Sequence, residues 1–190
     1  MKKGIRILGI DDGPFKKNVD KETILTGVLI KPDGYIEGIL LRTIAVDGTD
    51  VNEKILSMVN GRFLREINII MTNGITFGGF NVMDIEKINN NTGIPVISII
   101  RKKPDIDSIK SALEKHFIDH DYRFNIINKN LPVLVTVNGR NLYINHAGID
   151  YDSAVLVIKK TLKMGNIPEP VRMAHLIATA IKTGESHGRP

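Results

Sequence analysis

An apolar run over residues 5–10 drives directly into two adjacent carboxylates, Asp11 and Asp12, and is stopped by Gly13-Pro14. Apolar residues bounded by turn formers predict a buried strand. Carboxylates at the end of such a strand are costly to hold unless a cation or hydrogen-bond donors offset them. A strand alternates its faces, so Asp11 and Asp12 point opposite ways, and at most one sits squarely on a metal. The pair reads as a divalent-metal site, and equally as the Asp-Asp-Gly of an ordinary turn.

The same grammar carries through the chain. Residues 23–30 and 35–46 predict two strands joined at Lys31-Pro32-Asp33-Gly34 into a hairpin. Asp47-Gly48-Thr49-Asp50 breaks it, and Asp50 is placed to cap a helix through Val51, Ile55, Leu56 and Val59. Residues 67–71 predict a short strand ending in Thr72-Asn73-Gly74, and a helix follows through Val82, Ile85 and Ile88. Residues 95–100 form another strand, leading to Arg101-Lys102-Lys103. Asp105 or Asp107 caps a helix carrying Ile106, Ile109, Leu113 and Phe117. Residues 119–130 read as an irregular polar stretch. A hairpin then turns at Asn138-Gly139, Asp150 starts a helix, and Pro170 opens the last one over residues 171–182. The order predicts one α/β domain over residues 1–190: a mixed sheet, antiparallel at its start and parallel later, with helices on both faces. Ligands in such sheets bind at the carboxyl ends of parallel strands.

With no Cys there is no thiol chemistry and no disulfide framework. No apolar run approaches the roughly 20 residues that span a bilayer, so no membrane partner is expected and the cytoplasm is the expected compartment. The formal charge of +5 suits a phosphate-rich partner. Its densest clusters, Lys16-Lys17, Arg101-Lys102-Lys103 and Lys159-Lys160, also suit a solvated surface. Six Phe, four Tyr and no Trp leave little for a base-stacking platform. His116 and His120, beside Asp119 and Asp121, have passable zinc spacing but no evident third or fourth ligand.

Taken together, several segments resemble a known family. They are Gly9-Ile10-Asp11-Asp12-Gly13-Pro14-Phe15, Val46-Asp47-Gly48-Thr49-Asp50, the long Asn73-to-Ile85 segment, Thr92-Gly93-Ile94-Pro95-Val96-Ile97 with Arg101 and Pro104-Asp105, the Glu169-to-Ala178 segment, and Gly184-Glu185-Ser186-His187-Gly188-Arg189. The family is the archaeal group labelled endonuclease dU, which is similar to endonuclease V, a repair nuclease with an RNase H-like fold. The resemblance implies an RNase H-like sheet and a Mg²⁺- or Mn²⁺-dependent endonuclease acting on deaminated DNA, containing uracil or inosine, with single-stranded DNA and RNA also open as partners. Asp11, Asp50 and Asn73 would hold the metal, with His175 joining them in catalysis. Asp12, Phe15, Asp47, Gly74, Phe77, Gly78, Gly79, Phe80, His146 and Arg172 would line the substrate.

Two departures bear on that expectation. Asn73 stands where the related pattern has Asp, and His175 where endonuclease V carries an acid. An amide ligates through oxygen but brings no charge, so one ion or none is expected in place of a pair. The alternatives are a non-catalytic nucleic-acid-binding protein of the same fold, or an enzyme acting on small nucleotides. Oligomeric state stays open.

Overall fold

The apolar opening run forms β1 (Ile7–Asp12), the centre of the molecule. The computed structural model describes residues 4–61, 63–163 and 165–187. On one side, β1 pairs antiparallel with β2 (Glu22–Ile30), and β2 pairs antiparallel with β3 (Ile36–Ala45). On the other, β1 pairs parallel with β4 (Ile69–Asn73). Next to β4 lies β7 (Val96–Ile100), again parallel, and the hairpin of β8 (Val133–Val137) and β9 (Arg140–Ala147) closes the far edge. Among the described residues these seven strands make one sheet in the order β3-β2-β1-β4-β7-β9-β8. A small hairpin, β5 (Thr76–Phe77) with β6 (Asn81–Val82), stands apart from it.

Alternation along β1 divides the core. Leu8 and Ile10 face helices α1 (Val51–Val59) and α2 (Ile85–Thr92). Ile7 faces the layer of α5 (Tyr151–Thr161) and the start of α6 (Glu169–Thr183). Each cluster consists of fully or nearly fully buried apolar side chains, the larger ones each worth about 1.5–3 kcal/mol on burial. Helix α3 (Ile106–His116) packs against α4 (His120–Lys129) over the β5-β6 hairpin.

The expected elements form, with three corrections. Residues 119–130 are the helix α4, not an irregular stretch. Its buried side includes Arg123, so the polar and apolar residues do not separate at helical spacing. The Arg123 guanidinium is satisfied by Asp119 and by the carbonyls of Gly48 and Phe80. Val82 belongs to β6 and not to α2, whose cap Asp84 accepts the Glu86 and Lys87 N–H groups. Asp50 precedes α1 without capping it. Asn81 from the β5-β6 hairpin accepts the Val51 N–H at 3.0 Å instead. The expectation for the tail over residues 184–190 falls partly outside the described residues, since 188–190 are not described.

Candidate active site

Two glycines set the position of α6. A Cβ on Gly9 would fall inside the Pro170 carbonyl, and one on Gly13 would lie 3.1 Å from the Ala178 carbonyl oxygen. Gly9 to Gly13 is four residues of strand, about 13 Å; Pro170 to Ala178 is eight residues of helix, about 12 Å. The helix therefore runs alongside β1 at matching length and contacts it at both ends. His175, between the two contacts, comes down on Asp11: its Nδ1 lies 2.9 Å from Asp11 Oδ2.

The parallel register brings the third member. Ile10 sits opposite Thr72, so the next step places Asp11 beside Asn73, whose Nδ2 donates to Asp11 Oδ2 at 3.3 Å. Asp11 is only 2% exposed, and burial pushes its carboxyl above the usual carboxylate range, opposed by the hydrogen bond and charge of His175. Across the β1-β2 pair Asp11 faces Thr26, which is 0% exposed and whose hydroxyl finds no hydrogen-bond partner among the described residues. Thr26, a hydroxyl inside the otherwise apolar run 24–30, was the available sequence signal for it.

Asp12 points to the other face. Its Oδ2 accepts the Gly78 N–H at 2.8 Å, and burial, then the neighbouring Asp11 charge, push its carboxyl up to about 7. Around it lies a set of loop clamps. Asp47, at φ 56°, accepts the Phe80 N–H at 2.8 Å and donates its own N–H to the Gly78 carbonyl. Asp50 accepts from Asn81 Nδ2 at 2.6 Å and from the Ala45 N–H at 3.2 Å. Gly79, at φ 90°, leaves room for the Asp47 carboxylate where a Cβ would stand.

The structure thus brings Asp11, Asn73 and His175 into direct contact and commits Asp47 and Asp50 to the β3-α1 turn. Gly74 follows Asn73 at φ 74°, its N–H on Ile99. Of the remaining residues expected on the substrate surface, Phe77 is 1% exposed and packs in the core, where it presents nothing to a ligand. Phe80 lies edge-on to Phe117 at 5.6 Å. Arg172 is ion-paired with Glu169 at 2.6 Å, one turn before His175. Phe15 is half-buried just past Gly13-Pro14. His146 shares the sheet face of Asp11 but stands on β9, three strands away, about 14 Å at ordinary strand spacing, with its ring near Tyr151. His120 is near Asp121 at 3.3 Å, and among the described residues no group of three or more His, Asp or Glu side chains is arranged to hold a metal.

A β3-β2-β1-β4-β7 sheet with its last helix laid over β1 is an RNase H-like fold. The crystal structure of Ciona intestinalis endonuclease V, in complex with DNA containing an inosine followed by a ribo-adenosine, matches it with a TM-score of 0.60 at 12% identity, over 90% of this chain and 83% of that one. A protein of unknown function from Archaeoglobus fulgidus matches more closely, with a TM-score of 0.82 and 35% identity over 97% and 99% of the two chains. The profile of the endonuclease dU family covers residues 3–182, and the UPF0215 protein of Thermococcus kodakarensis is 43% identical over 189 residues, 98% of this chain and 96% of that protein. The chain belongs to the endonuclease dU family. Family and fold are those of nucleases.

Proposed function

We propose that this protein is a divalent-metal-dependent endonuclease that cuts DNA at deaminated bases, and that Asp11 is the centre of its active site. The observation that carries this reading is the convergence of Asp11, Asn73 and His175 at the carboxyl ends of the parallel strands β1 and β4, in a chain whose family and fold are nucleolytic.

The residues present fit one divalent ion and not two. The buried Asp11 carboxylate, the Asn73 amide after a half-turn that presents its oxygen, and the His175 ring nitrogen make an oxygen-oxygen-nitrogen set beside the unpartnered Thr26 hydroxyl. That mixture suits Mn²⁺ better than Mg²⁺, which prefers oxygen alone. The Asp12 carboxylate points to the other sheet face and is hydrogen-bonded to Gly78, and the Asp50 carboxylate is hydrogen-bonded to Asn81. When bound, the ion supplies a water acidified towards neutral pH and screening of charge on the phosphate. The protein's own residues do the rest. Asp11 supplies the negative charge, and His175 holds its carboxylate in place through Nδ1, which leaves Nε2 for the ion. The exposed Arg101-Lys102-Lys103, two to four residues past Ile99 opposite Asn73, offer charge to the phosphate backbone.

Cleavage of a labelled uracil-containing oligonucleotide is the test, with Mg²⁺, Mn²⁺ or Co²⁺ and with Asp11→Ala as the control. Metal-dependent cutting that falls by at least about a hundredfold in the variant is the expected result. Intact oligonucleotide under all three metals would sink the proposal, and retained binding in that case would leave a non-catalytic nucleic-acid-binding protein.

A further inference from the structure

Asp11 lies on the central strand, and its two flanks are not alike. On the β4 side stands Asn73, which donates to Asp11 Oδ2 at 3.3 Å. On the β2 side, directly opposite in the antiparallel register, stands Thr26. Residues paired in this way share a sheet face, with Cβ atoms about 4.5–5.5 Å apart. A hydroxyl and a carboxylate bridge that separation easily. Yet the Thr26 hydroxyl is fully buried and makes no hydrogen bond among the described residues.

Thr26 has few other places to turn. Its neighbours on the same face are Ile24 and Val28 along β2 and Leu41 on β3. Helix α6 covers this face with Met173, Ala174 and Ile177, packed on Val28 and Ile30. Asp11 is the one polar side chain among the adjacent strand positions. A Val at position 26 would keep the branched shape that suits a strand and would bury no unpartnered polar group. A local rule broken beside a candidate site points to a role there.

The demands on Asn73 supply that role. In the resting site Asn73 spends its amide N–H on Asp11 Oδ2. To offer its oxygen to an ion the amide makes a half-turn, and the same half-turn withdraws the N–H from the carboxylate. His175 keeps its own hold through Nδ1. Asp11 is then one donor short at a place that is 2% exposed, where water does not make up the loss. We infer that Thr26 is the reserve donor of this site: its hydroxyl turns about χ1 and donates to the Asp11 carboxylate as Asn73 releases it. Thr26 is a positioning residue that touches neither ion nor nucleic acid. It keeps Asp11 oriented while Asn73 serves the ion. The inference deepens the nuclease reading and rests on it only for a divalent ion at Asp11 and Asn73.

The test sets the resting state against the loaded one. Thr26→Val exchanges the hydroxyl for a methyl of the same shape, and Thr26→Ser keeps the hydroxyl. In EDTA, Thr26→Val should melt about 2–6 °C above wild type, because an unpartnered buried hydroxyl is gone. In calorimetric titration with Mn²⁺, the same variant should bind about ten- to a hundredfold more weakly, while Thr26→Ser stays within about threefold of wild type. A threonine that only fills space would not move melting and affinity in opposite senses. A Thr26→Val protein that melts lower in EDTA, one that binds Mn²⁺ as tightly as wild type, or a wild type that takes up no Mn²⁺ would overturn the inference. Uracil strands cut equally well by Thr26→Val, with Mn²⁺ affinity unchanged, would leave the nuclease standing and this role fallen. The Mn²⁺ defect in a protein that cuts no strand under any metal would do the reverse.

Discussion

Asp11 and Asp12 are chemical twins one residue apart, and the fold treats them oppositely. Asp11 faces α6 and meets an imidazole, an amide and a buried hydroxyl. Asp12 faces the α1 layer and meets one backbone N–H, in a region where every nearby acid is tied to a loop. Burial raises both carboxyls, but only Asp11 has side chains able to trade their hydrogen bonds for a ligand. The difference shows that a carboxylate pair at a strand end divides its labour by face: one acid makes a site and its neighbour holds the loop beside it.

The largest expected effect comes from breaking the Asp11 face at its foundation. Gly9→Ala sets a methyl against the Pro170 carbonyl and lifts the start of α6. A loss of about 3 kcal/mol or more is expected, seen as a melting temperature lower by roughly 6–12 °C, with DNA cleavage falling alongside it. An unchanged melting temperature would mean that α6 is not seated by this contact. Asn73→Asp sharpens the comparison by giving Asp11 a second acid. Thermal shift should show stabilisation by Mg²⁺ at concentrations at least about tenfold lower than wild type requires, at the cost of some stability without metal. No change in the metal response would argue against Asn73 as a ligand.

Asp12 offers a pH test on the opposite face. Its carboxyl ionises at 3.8 in an unfolded chain and at about 7 in the fold. The folded protein therefore keeps a proton that the unfolded chain releases, and stability is lost as pH rises from about 4 to about 7. Asp12→Asn removes that penalty. In metal-free protein, denaturant unfolding should show the variant more stable by on the order of 2 kcal/mol at pH 8 and equal to wild type near pH 4. A variant less stable at pH 8 would show that the Gly78 hydrogen bond outweighs the burial of charge. The smallest effect is expected at Asp50→Asn, which preserves an acceptor for Asn81 and Ala45: cleavage within about threefold of wild type if the acid only latches the turn. A loss matching that of Asp11→Ala would make Asp50 a ligand.

The strands of the main sheet were legible because each is an apolar run closed by a turn residue, whereas the two-residue strands β5 and β6 were too short to show a pattern. Helix α4 was not legible, because its buried face contains Arg123, which counts as polar in a sequence and is satisfied by the neighbouring Asp119 together with the carbonyls of Gly48 and Phe80, residues far away in the chain. Asp11 was conspicuous as an acid ending an apolar run. Its partner His175 lies 164 residues later, and only the family resemblance singled it out.

The seating of α6 on Gly9 and Gly13 has a consequence for how this protein should respond to its surroundings. The approach of His175 to Asp11 is set by hard contact between backbones, not by attraction between charges. Salt weakens charge attraction and leaves steric contact untouched. Rising ionic strength should therefore loosen the grip on nucleic acid through the basic residues while the alignment of the site stays constant, so that KM climbs with salt and kcat holds.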